Sequence, residues 1–391
     1  MKSLLVKLGK AKLMLQRNGL FGGARILAGY LSTFIKAFFV GSGEVLFVSS
    51  GVGDSAFYRA YNPAEELKLH GFKTATTISD NPNLSKLVSK FKIFVFHRTA
   101  QNKNIEKMVE RIKEQGKEII FDTDDLVYDP QYLTHMDYFK KMSAAEQEQY
   151  KNGIGAEIVN DPYVKVCTTT VSYLADKLRE KNKKVIIVPN RFSDHELEVA
   201  DKLLEKEKIS DGFVRLGYYS GTLSHNKDFA SITESLMIIL EKYEKVKLLL
   251  AGSLDMEDKL NKFSEKIEML PRVPRDEYYG NIYKCDINLA PLELDNPFCE
   301  SKSAIKFTET GVLKIPTVAV KNQTFSETIE DGIDGFLAGN TAEWVEKISR
   351  LVEDENLRKT MGEKAREKVL KKYTNKNSQN EEYYSYLKSK M

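Results

Sequence analysis

Hydrophobic residues in this chain fall into short continuous runs, each separated from the next by a segment of helical period. In the first half the runs are Val45–Ser49, Thr74–Ile78, Ile93–Phe96, Ile119–Asp122, Val164–Thr168 and Val185–Val188. A continuous apolar run of this length fits a strand buried on both faces better than an amphipathic one. Pro63–His70, Asn104–Gln115 and Val171–Glu180 carry the intervening helical pattern. Strands alternating with helices predict a parallel sheet covered by helices. Val188-Pro189-Asn190 closes the series, and residues 194–210 are charged and helical, as a connector would be.

A second series follows: Phe213–Tyr219, Val246–Ala251, Ile267–Leu270, Ile287–Ala290, Thr317–Val320 and Gly335–Ala338, with helices expected at Phe229–Tyr243, Arg275–Tyr283, Ser301–Thr310 and Ala342–Glu353. A charged helix, Leu357–Tyr373, and a tail rich in Asn and Tyr end the chain. Residues 127–160 break the rhythm. They set Tyr128, Tyr132, Tyr138, Phe139 and Tyr150 among polar residues and are longer than an ordinary connection, which predicts a helical insertion over a cleft. The organisation expected is a basic arm over 1–41, an α/β domain over 42–193, a second over 194–372, and a tail over 373–391 that returns to the first domain.

Composition sharpens this picture in two places. The 391 residues, 42% hydrophobic, are enough for two cores. The three cysteines, Cys167, Cys285 and Cys299, are scattered without metal spacing, which suits a reducing, cytoplasmic compartment. The net charge is +3, but residues 1–40 contain seven Lys and Arg (Lys2, Lys7, Lys10, Lys12, Arg17, Arg25 and Lys36) and no Asp or Glu. The arm is strongly basic and the body slightly acidic. The arm is also apolar in stretches, yet none reaches the ~18 uninterrupted residues of a spanning helix, and no signal-peptide cleavage pattern follows. A basic amphipathic segment lying on an anionic membrane is expected, at the inner face of the plasma membrane; a solvated helix packed on the body is the plainer alternative. Nucleic acid is not an expected partner, because no stacking motif accompanies the charge.

Ligands of open parallel sheets bind beyond the C-terminal ends of the strands. Ser50-Gly51-Val52-Gly53-Asp54 follows the first strand, and its glycines admit either a tight turn or close approach of a substrate, with Gly53 and Asp54 on the acceptor side. His97-Arg98 follows the third strand. Asp122-Thr123-Asp124-Asp125 follows the fourth, and three carboxylates this close need compensation. They read as a catalytic base or acceptor site, as a divalent-metal Asp-x-Asp, or as helix caps at Asp124 or Asp125. In the second series, Gly221-Thr222-Leu223-Ser224-His225-Asn226-Lys227-Asp228 offers a small-residue loop with a His and a Lys before a helix, suited to phosphate. Asn296–Pro316 carries most. With a helix starting at Ser301, Lys302, Lys306 and Glu309 share one face, Ser301 and Ser303 add hydroxyls at an anion-binding helix start, and Glu309 can accept from sugar hydroxyls.

Val188-Pro189-Asn190, Gly217–Lys227, Ala251-Gly252, Asp286–Pro291 and Asn296–Val320 together resemble the group 1 glycosyltransferases, retaining enzymes of the GT-B fold; Phe121-Asp122-Thr123-Asp124-Asp125-Leu126 is similar to a subgroup of cell-surface polysaccharide assembly. The resemblance implies two Rossmann-like parallel-sheet domains facing across a cleft. The family's Gly-Arg-x-x-x-x-Lys pattern, which holds the diphosphate, matches at Gly221 and Lys227 but has Thr222 in place of Arg. Its two glutamates seven residues apart match at Glu309, the ribose contact, while the first falls on Ser301, with Glu300 adjacent. His97 is a candidate for a sugar-contacting histidine.

The activity implied is transfer of a sugar from a nucleotide-diphospho-sugar to a hydroxyl of a glycan or lipid-linked acceptor, with retention. Lys227, Lys302, Ser303 and helix N-termini would stabilise the leaving diphosphate, Lys306 assisting, without metal or other cofactor. Asp124 and His97 join Lys227 and Lys302 as catalytic candidates, with Arg98, Asp122 and Asp125 on the acceptor side. The rivals are a metal-dependent GT-A transferase using Asp122 and Asp124, a nucleotide-sugar epimerase on the same fold, and a non-catalytic partner subunit.

Overall fold

The computed structural model describes residues 23–25, 27–208, 211–221, 226–252 and 254–391. The start of the basic arm and the candidates Thr222 and His225 lie outside the described residues. The chain divides into two compact units. The first comprises residues up to Ser193 with Ser301–Ser303 and Thr374–Met391; the second comprises Asp194–Glu300 and Ala304–Tyr373.

The first unit is built on a parallel sheet of β1 (Val45–Ser49), β2 (Thr74–Ile78), β3 (Ile93–His97), β4 (Glu118–Thr123), β5 (Val166–Thr169) and β6 (Lys184–Ile187), in the order β2-β1-β3-β4-β5-β6. β1, β3 and β5 are buried at every position, as the continuous apolar runs require. Register is unbroken across the middle of the sheet: Ser49 pairs with His97, His97 with Asp122, and Asp122 with Thr168. One row of polar side chains therefore crosses the C-terminal edge. The strand order reverses between β1 and β3, so the loops after those two strands part there.

Three further pieces complete this unit. Residues 126–159 form 3₁₀ turns (Leu126–Tyr128, Pro130–His135, Asp137–Lys141) and two helices, Ala144–Lys151 and Ala156–Val159. They are pinned where Tyr128 meets Phe121 edge-on at 5.9 Å and where Gly155, at φ +87°, passes so close to Phe121 that a Cβ would stand 2.6 Å from its ring. The tail after Tyr373 forms a helix, Glu381–Lys388, whose Tyr383, Tyr384 and Leu387 join the core with Phe47, Leu67 and Val188. Its sequence signal was a bare Asn/Tyr enrichment, because the helix owes its order to this burial. Residues 27–36 of the arm are helical, and the arm is tied to the body at Ala37, whose carbonyl accepts from Thr77 Oγ1 at 2.8 Å.

The second sheet contains β7 (Val214–Ser220), β8 (Val246–Gly252), β9 (Ile267–Leu270), β10 (Ile287–Ala290), β11 (Thr317–Val320) and β12 (Phe336–Ala338), all parallel, in the order β12-β11-β10-β7-β8-β9. Its order reverses between β7 and β10. Two helices differ from the sequence reading. The single helix expected over Phe229–Tyr243 is two, Asn226–Ala230 and Thr233–Lys242, because the Ser231 hydroxyl bonds the Asp228 carbonyl at 2.6 Å and competes with the backbone ladder. The helix expected to start at Ser301 starts instead at Ile305 and runs to Gly311. Ser301 and Lys302 are held by Asp125, and Ser303 accepts from Asn190 Nδ2 at 3.1 Å, so Ser301–Ser303 belongs to the first unit. Lys302 consequently does not share a helical face with Lys306 and Glu309.

Gly252 marks a close approach at the C-terminal edge of this sheet. It sits at φ +92°, and a Cβ there would lie 1.8 Å from the Ser220 carbonyl oxygen. Gly252→Ala is expected to destabilise the protein by about 3 kcal/mol or more, since both backbone and neighbour must move. Gly221→Ala, with open space around it and ordinary φ, should lie within about 1 kcal/mol of wild type. Urea unfolding of the two variants distinguishes them, and equal stability would show that the β7–β8 edge is looser than described.

Candidate functional site

Polar side chains gather at the point of strand reversal in each unit. In the first, β1 leads through Gly53 into a short helix, Asp54–Ala56, that continues as a π-helical turn, Phe57–Tyr61. That turn buries Arg59 completely. Its guanidinium grips both Asp122 oxygens, from Nε at 3.1 Å and from Nη2, and Nη1 bonds the Val188 carbonyl and, at 3.3 Å, Asn190 Oδ1. Asp122 also accepts from Thr168 Oγ1 at 2.7 Å and meets His97 Nδ1 at 2.8 Å. Burial alone would push the Asp122 carboxyl up; Arg59 and His97 overcome this and hold it below the usual carboxylate range.

His97 is buried, and its Nε2 lies 2.7 Å from Ser55 Oγ. Ser55 in turn bonds Asp124 Oδ2 at 2.9 Å, and Arg98 Nη1 reaches Asp124 Oδ1 at 3.2 Å. Arg98 has φ +45°, a conformation that costs energy for a residue with a Cβ, and its N–H donates to the Asp122 carbonyl at 3.0 Å. Burial raises the Asp124 carboxyl, but Arg98, His97, Arg59 and the Ser55 hydroxyl together drive it well below the ordinary range. Asp125 caps Leu126 N–H at 2.8 Å and pairs with Lys302 Nζ at 3.0 Å. The compensation that three adjacent carboxylates demand is thus supplied by Arg59, Arg98 and Lys302. Gly53 and Asp54, on the same loop, are exposed.

The second unit has a cationic centre. Lys306 is half-buried by area, and its ammonium is the enclosed end: it bonds the Tyr219 carbonyl at the end of β7 and lies 4.5 Å over the Tyr218 ring. Burial pulls it down to about 8 against the opposing pull of Glu309 and Asp228. Glu309, one turn on, is buried and accepts from Tyr278 Oη at 2.9 Å. Lys227 lies in the helix that follows Gly221 and the loop after β7. Glu300 ends the short helix Pro297–Glu300, where burial raises its carboxyl and Gln323 N–H donates to it at 3.3 Å.

The fold therefore brings His97, Arg98, Asp122 and Asp124 into one cluster, and Lys306 and Glu309 into another, while Ser301, Lys302 and Ser303 stand with the first. Ser55, Arg59, Thr168 and Tyr278 were missed by sequence reasoning. Ser55 and Arg59 carried one available signal, their place in the helix directly after the Gly51–Gly53 loop; Thr168 and Tyr278 carried none.

Residues 201–368 match the family Glycosyl transferases group 1. The capsular polysaccharide biosynthesis glycosyltransferase CapM of Staphylococcus aureus is 24% identical over 237 residues, 53% of this chain, and the chain spans 58% of CapM. Among solved structures, a glycosyltransferase from Rickettsia africae superposes with a TM-score of 0.60 at 15% identity, covering 90% of this chain and 99% of that one. HepE of Anabaena in complex with UDP-glucose gives 0.56 at 14% identity, covering 88% and 100%. Two six-stranded parallel sheets in these orders have the GT-B fold of those structures, and the match to Glycosyl transferases group 1 lies over the second sheet's unit.

Proposed function

We propose that this chain transfers a sugar from a nucleotide-diphospho-sugar to an acceptor hydroxyl in polysaccharide assembly. The observation that carries the reading is the pairing of Lys306 with Glu309 beside the strand reversal of the matched unit. An enclosed cation and a buried carboxylate one turn apart are what a diphosphate and a ribose require of a protein. Lys227 adds a second cation at the same strand end. Glu309, presented by Tyr278, accepts from the ribose hydroxyls. As the glycosidic bond breaks, negative charge grows on the departing diphosphate, and Lys306 and Lys227 stabilise it without a metal ion. A UDP-sugar is the first donor to try, given the UDP-glucose bound by HepE. The configuration is retained, as in the resemblance drawn from the sequence.

The acceptor is a glycan or lipid-linked glycan, and the arm holds the enzyme on the inner face of the plasma membrane. Leu31 and Ile35, exposed at 59 and 50%, stand one turn apart on the arm's helix beside Lys36, and Phe39, exposed at 82%, follows the helix, on an arm with no acidic residue. An apolar stripe with a cationic border suits an anionic bilayer. No helix among the described residues is long and apolar enough to cross one.

A thermal-shift screen of UDP, GDP, dTDP, CDP and ADP without metal tests the donor site. One nucleotide at 100 times its Kd should stabilise the wild type by about 2.7 kcal/mol. Glu309→Ala should weaken that nucleotide roughly tenfold or more, the worth of a charge-assisted hydrogen bond. If none of the five binds, a partner subunit without a donor replaces this reading. Lys306 makes the binding pH-dependent. Its ammonium is present below about 8 and lost above it, so affinity should fall as the pH is raised from 7 to 9.5. Lys306→Gln should bind weakly at both values, and a wild-type affinity flat across this range would remove Lys306 from the diphosphate. Deleting residues 1–36, which leaves Ala37 in place, should abolish sedimentation with phosphatidylglycerol vesicles but spare nucleotide binding; undiminished sedimentation would refute the membrane role.

A further inference from the structure

Three side chains at the C-terminal edge of the first sheet stand in the arrangement of an activated nucleophile. Ser55 Oγ lies 2.7 Å from His97 Nε2, and His97 Nδ1 lies 2.8 Å from Asp122 Oδ1. Hydrogen counting fixes the ring between them. Asp122 accepts from two Arg59 nitrogens and from Thr168 Oγ1, and a carboxylate has no hydrogen to give, so Nδ1 donates to it. In the neutral ring Nε2 is then a bare base facing the Ser55 hydroxyl. A hydroxyl, a base within its reach and a buried carboxylate that orients the base make up the serine nucleophile of acyl transfer, which is recognised by geometry and not by chain position. Arg59 keeps Asp122 ionised, so the carboxylate orients the ring without taking its proton.

The surroundings supply access and a partner for an oxyanion. Ser55 is half-buried, whereas His97 is 1% exposed, so the hydroxyl is the reachable end of the array. On the loop before it, a Cβ at Gly51 or Gly53 would meet nothing within 4 Å, which leaves open space. Asp124 links Ser55 to Arg98: Oδ2 accepts from the hydroxyl at 2.9 Å and Oδ1 from Arg98 Nη1 at 3.2 Å. The guanidinium thus stands one carboxylate away from the nucleophile, on a residue held at φ +45°, the kind of strained backbone that collects at functional sites. Ser55 has one hydrogen for two acceptors, so Asp124 competes with His97 for it and restrains the nucleophile.

We propose that Ser55, His97 and Asp122 form a nucleophilic triad that hydrolyses a carboxylic ester, an activity separate from the sugar transfer above and needing no residue of the second unit. Ser55 Oγ bonds to the ester carbonyl carbon as its proton passes to His97 Nε2. The carbonyl oxygen becomes an oxyanion, and Arg98 stabilises it. When the tetrahedral intermediate collapses, the bond to the alcohol oxygen breaks, and that oxygen takes the proton from His97. The acyl group is left on Ser55. A water then gives His97 a proton as its oxygen attacks the acyl carbon. The second collapse returns that proton to Ser55 Oγ and releases the carboxylic acid. Ester and water have become acid and alcohol, and the Ser55 hydroxyl, the neutral His97 ring and the Asp122 carboxylate are restored. Asp122 stabilises the passing charge on the ring, and Arg59 holds Asp122 in place.

A fluorophosphonate, which transfers its phosphonyl group to an activated serine with loss of fluoride, tests this on the full-length chain without any nucleotide. Mass spectrometry should find a single adduct, on Ser55. With p-nitrophenyl acetate a burst of nitrophenol equal to the protein present should precede steady hydrolysis, and Ser55→Ala should lose it. His97→Gln should slow both reactions at least about 100-fold, the lower limit for loss of a positioned base. Asp124→Ala, which leaves the hydroxyl hydrogen to His97, should label faster than the wild type. Histidine-ring nitrogen NMR at alkaline pH reads the orienting role of Asp122 apart from any reaction: the His97 signal, identified by its loss in His97→Gln, should be that of the Nδ1–H tautomer. The adduct on wild-type Ser55 tests the proposal whether or not His97→Gln folds. No adduct on Ser55, or one that forms as fast in His97→Gln, overturns the triad, and so does a neutral His97 ring carrying its hydrogen on Nε2.

Discussion

Strand register is the constraint on which the first unit's chemistry depends. Because β1, β3, β4 and β5 pair in parallel without a slip, Ser49, His97, Asp122 and Thr168 occupy one row. In a parallel sheet aligned neighbours project to the same face, so the row delivers an imidazole, a carboxylate and a hydroxyl into mutual reach without a specialised loop. A shift of one residue in β4 would turn Asp122 to the opposite face and break its four side-chain hydrogen bonds at once. The apolar positions that fill the rest of these strands enforce that register, since the same shift would misplace Ile120 and Phe121 as well. Core packing and site geometry are thus one specification.

A buried carboxylate in such a row is stable only if its charge is met, and this explains the second feature of the unit. Arg59 spends its Nε and Nη2 on Asp122 and its Nη1 on the end of β6 and on Asn190. A lysine could bring the charge but not the planar fork that addresses both oxygens. The π-helical turn that carries Arg59 is the local cost of aiming it inward, in keeping with the frequency of such turns at functional sites. The ion pair is better understood as a device that fixes geometry than as a source of net stability, since desolvation offsets much of its attraction.

Legibility in the sequence followed the same physics. The strands were readable because a strand buried on both faces leaves a continuous apolar run; those of the second unit at Ile267–Leu270, Ile287–Ala290 and Thr317–Val320 coincide with their predicted limits. The position of polar residues at strand ends was readable too, because residues that directly follow such runs have nowhere to go but the sheet edge, as with His97-Arg98 and Asp122–Asp125. The start of the helix carrying Glu309 was not readable. Local preference favoured Ser301, and contacts with Asp125, 176 residues away, overrode it. Arg59 and Ser55 were passed over for a related reason: a periodicity argument assigns arginine and serine to solvent, and their place after the Gly51–Gly53 loop did not show that Asp122, His97 and Asp124 surround them. Tyr278 became informative only once its hydroxyl was seen on Glu309.

The two clusters also differ in how they treat charge. Around Asp122, Asp124 and Asp125 every carboxylate is matched by a guanidinium or an ammonium, so the first cluster is close to neutral. Lys306 is treated otherwise. Its ammonium has a carbonyl and an aromatic face for immediate company, and burial pulls it down to about 8 against the smaller opposing pull of Glu309 and Asp228. A cation kept short of compensating charge gains most from an arriving anion, because the anion restores what desolvation removed. A charge-matched cluster in the first unit and an anion-seeking cation in the second are thus two different answers to the cost of burying charge.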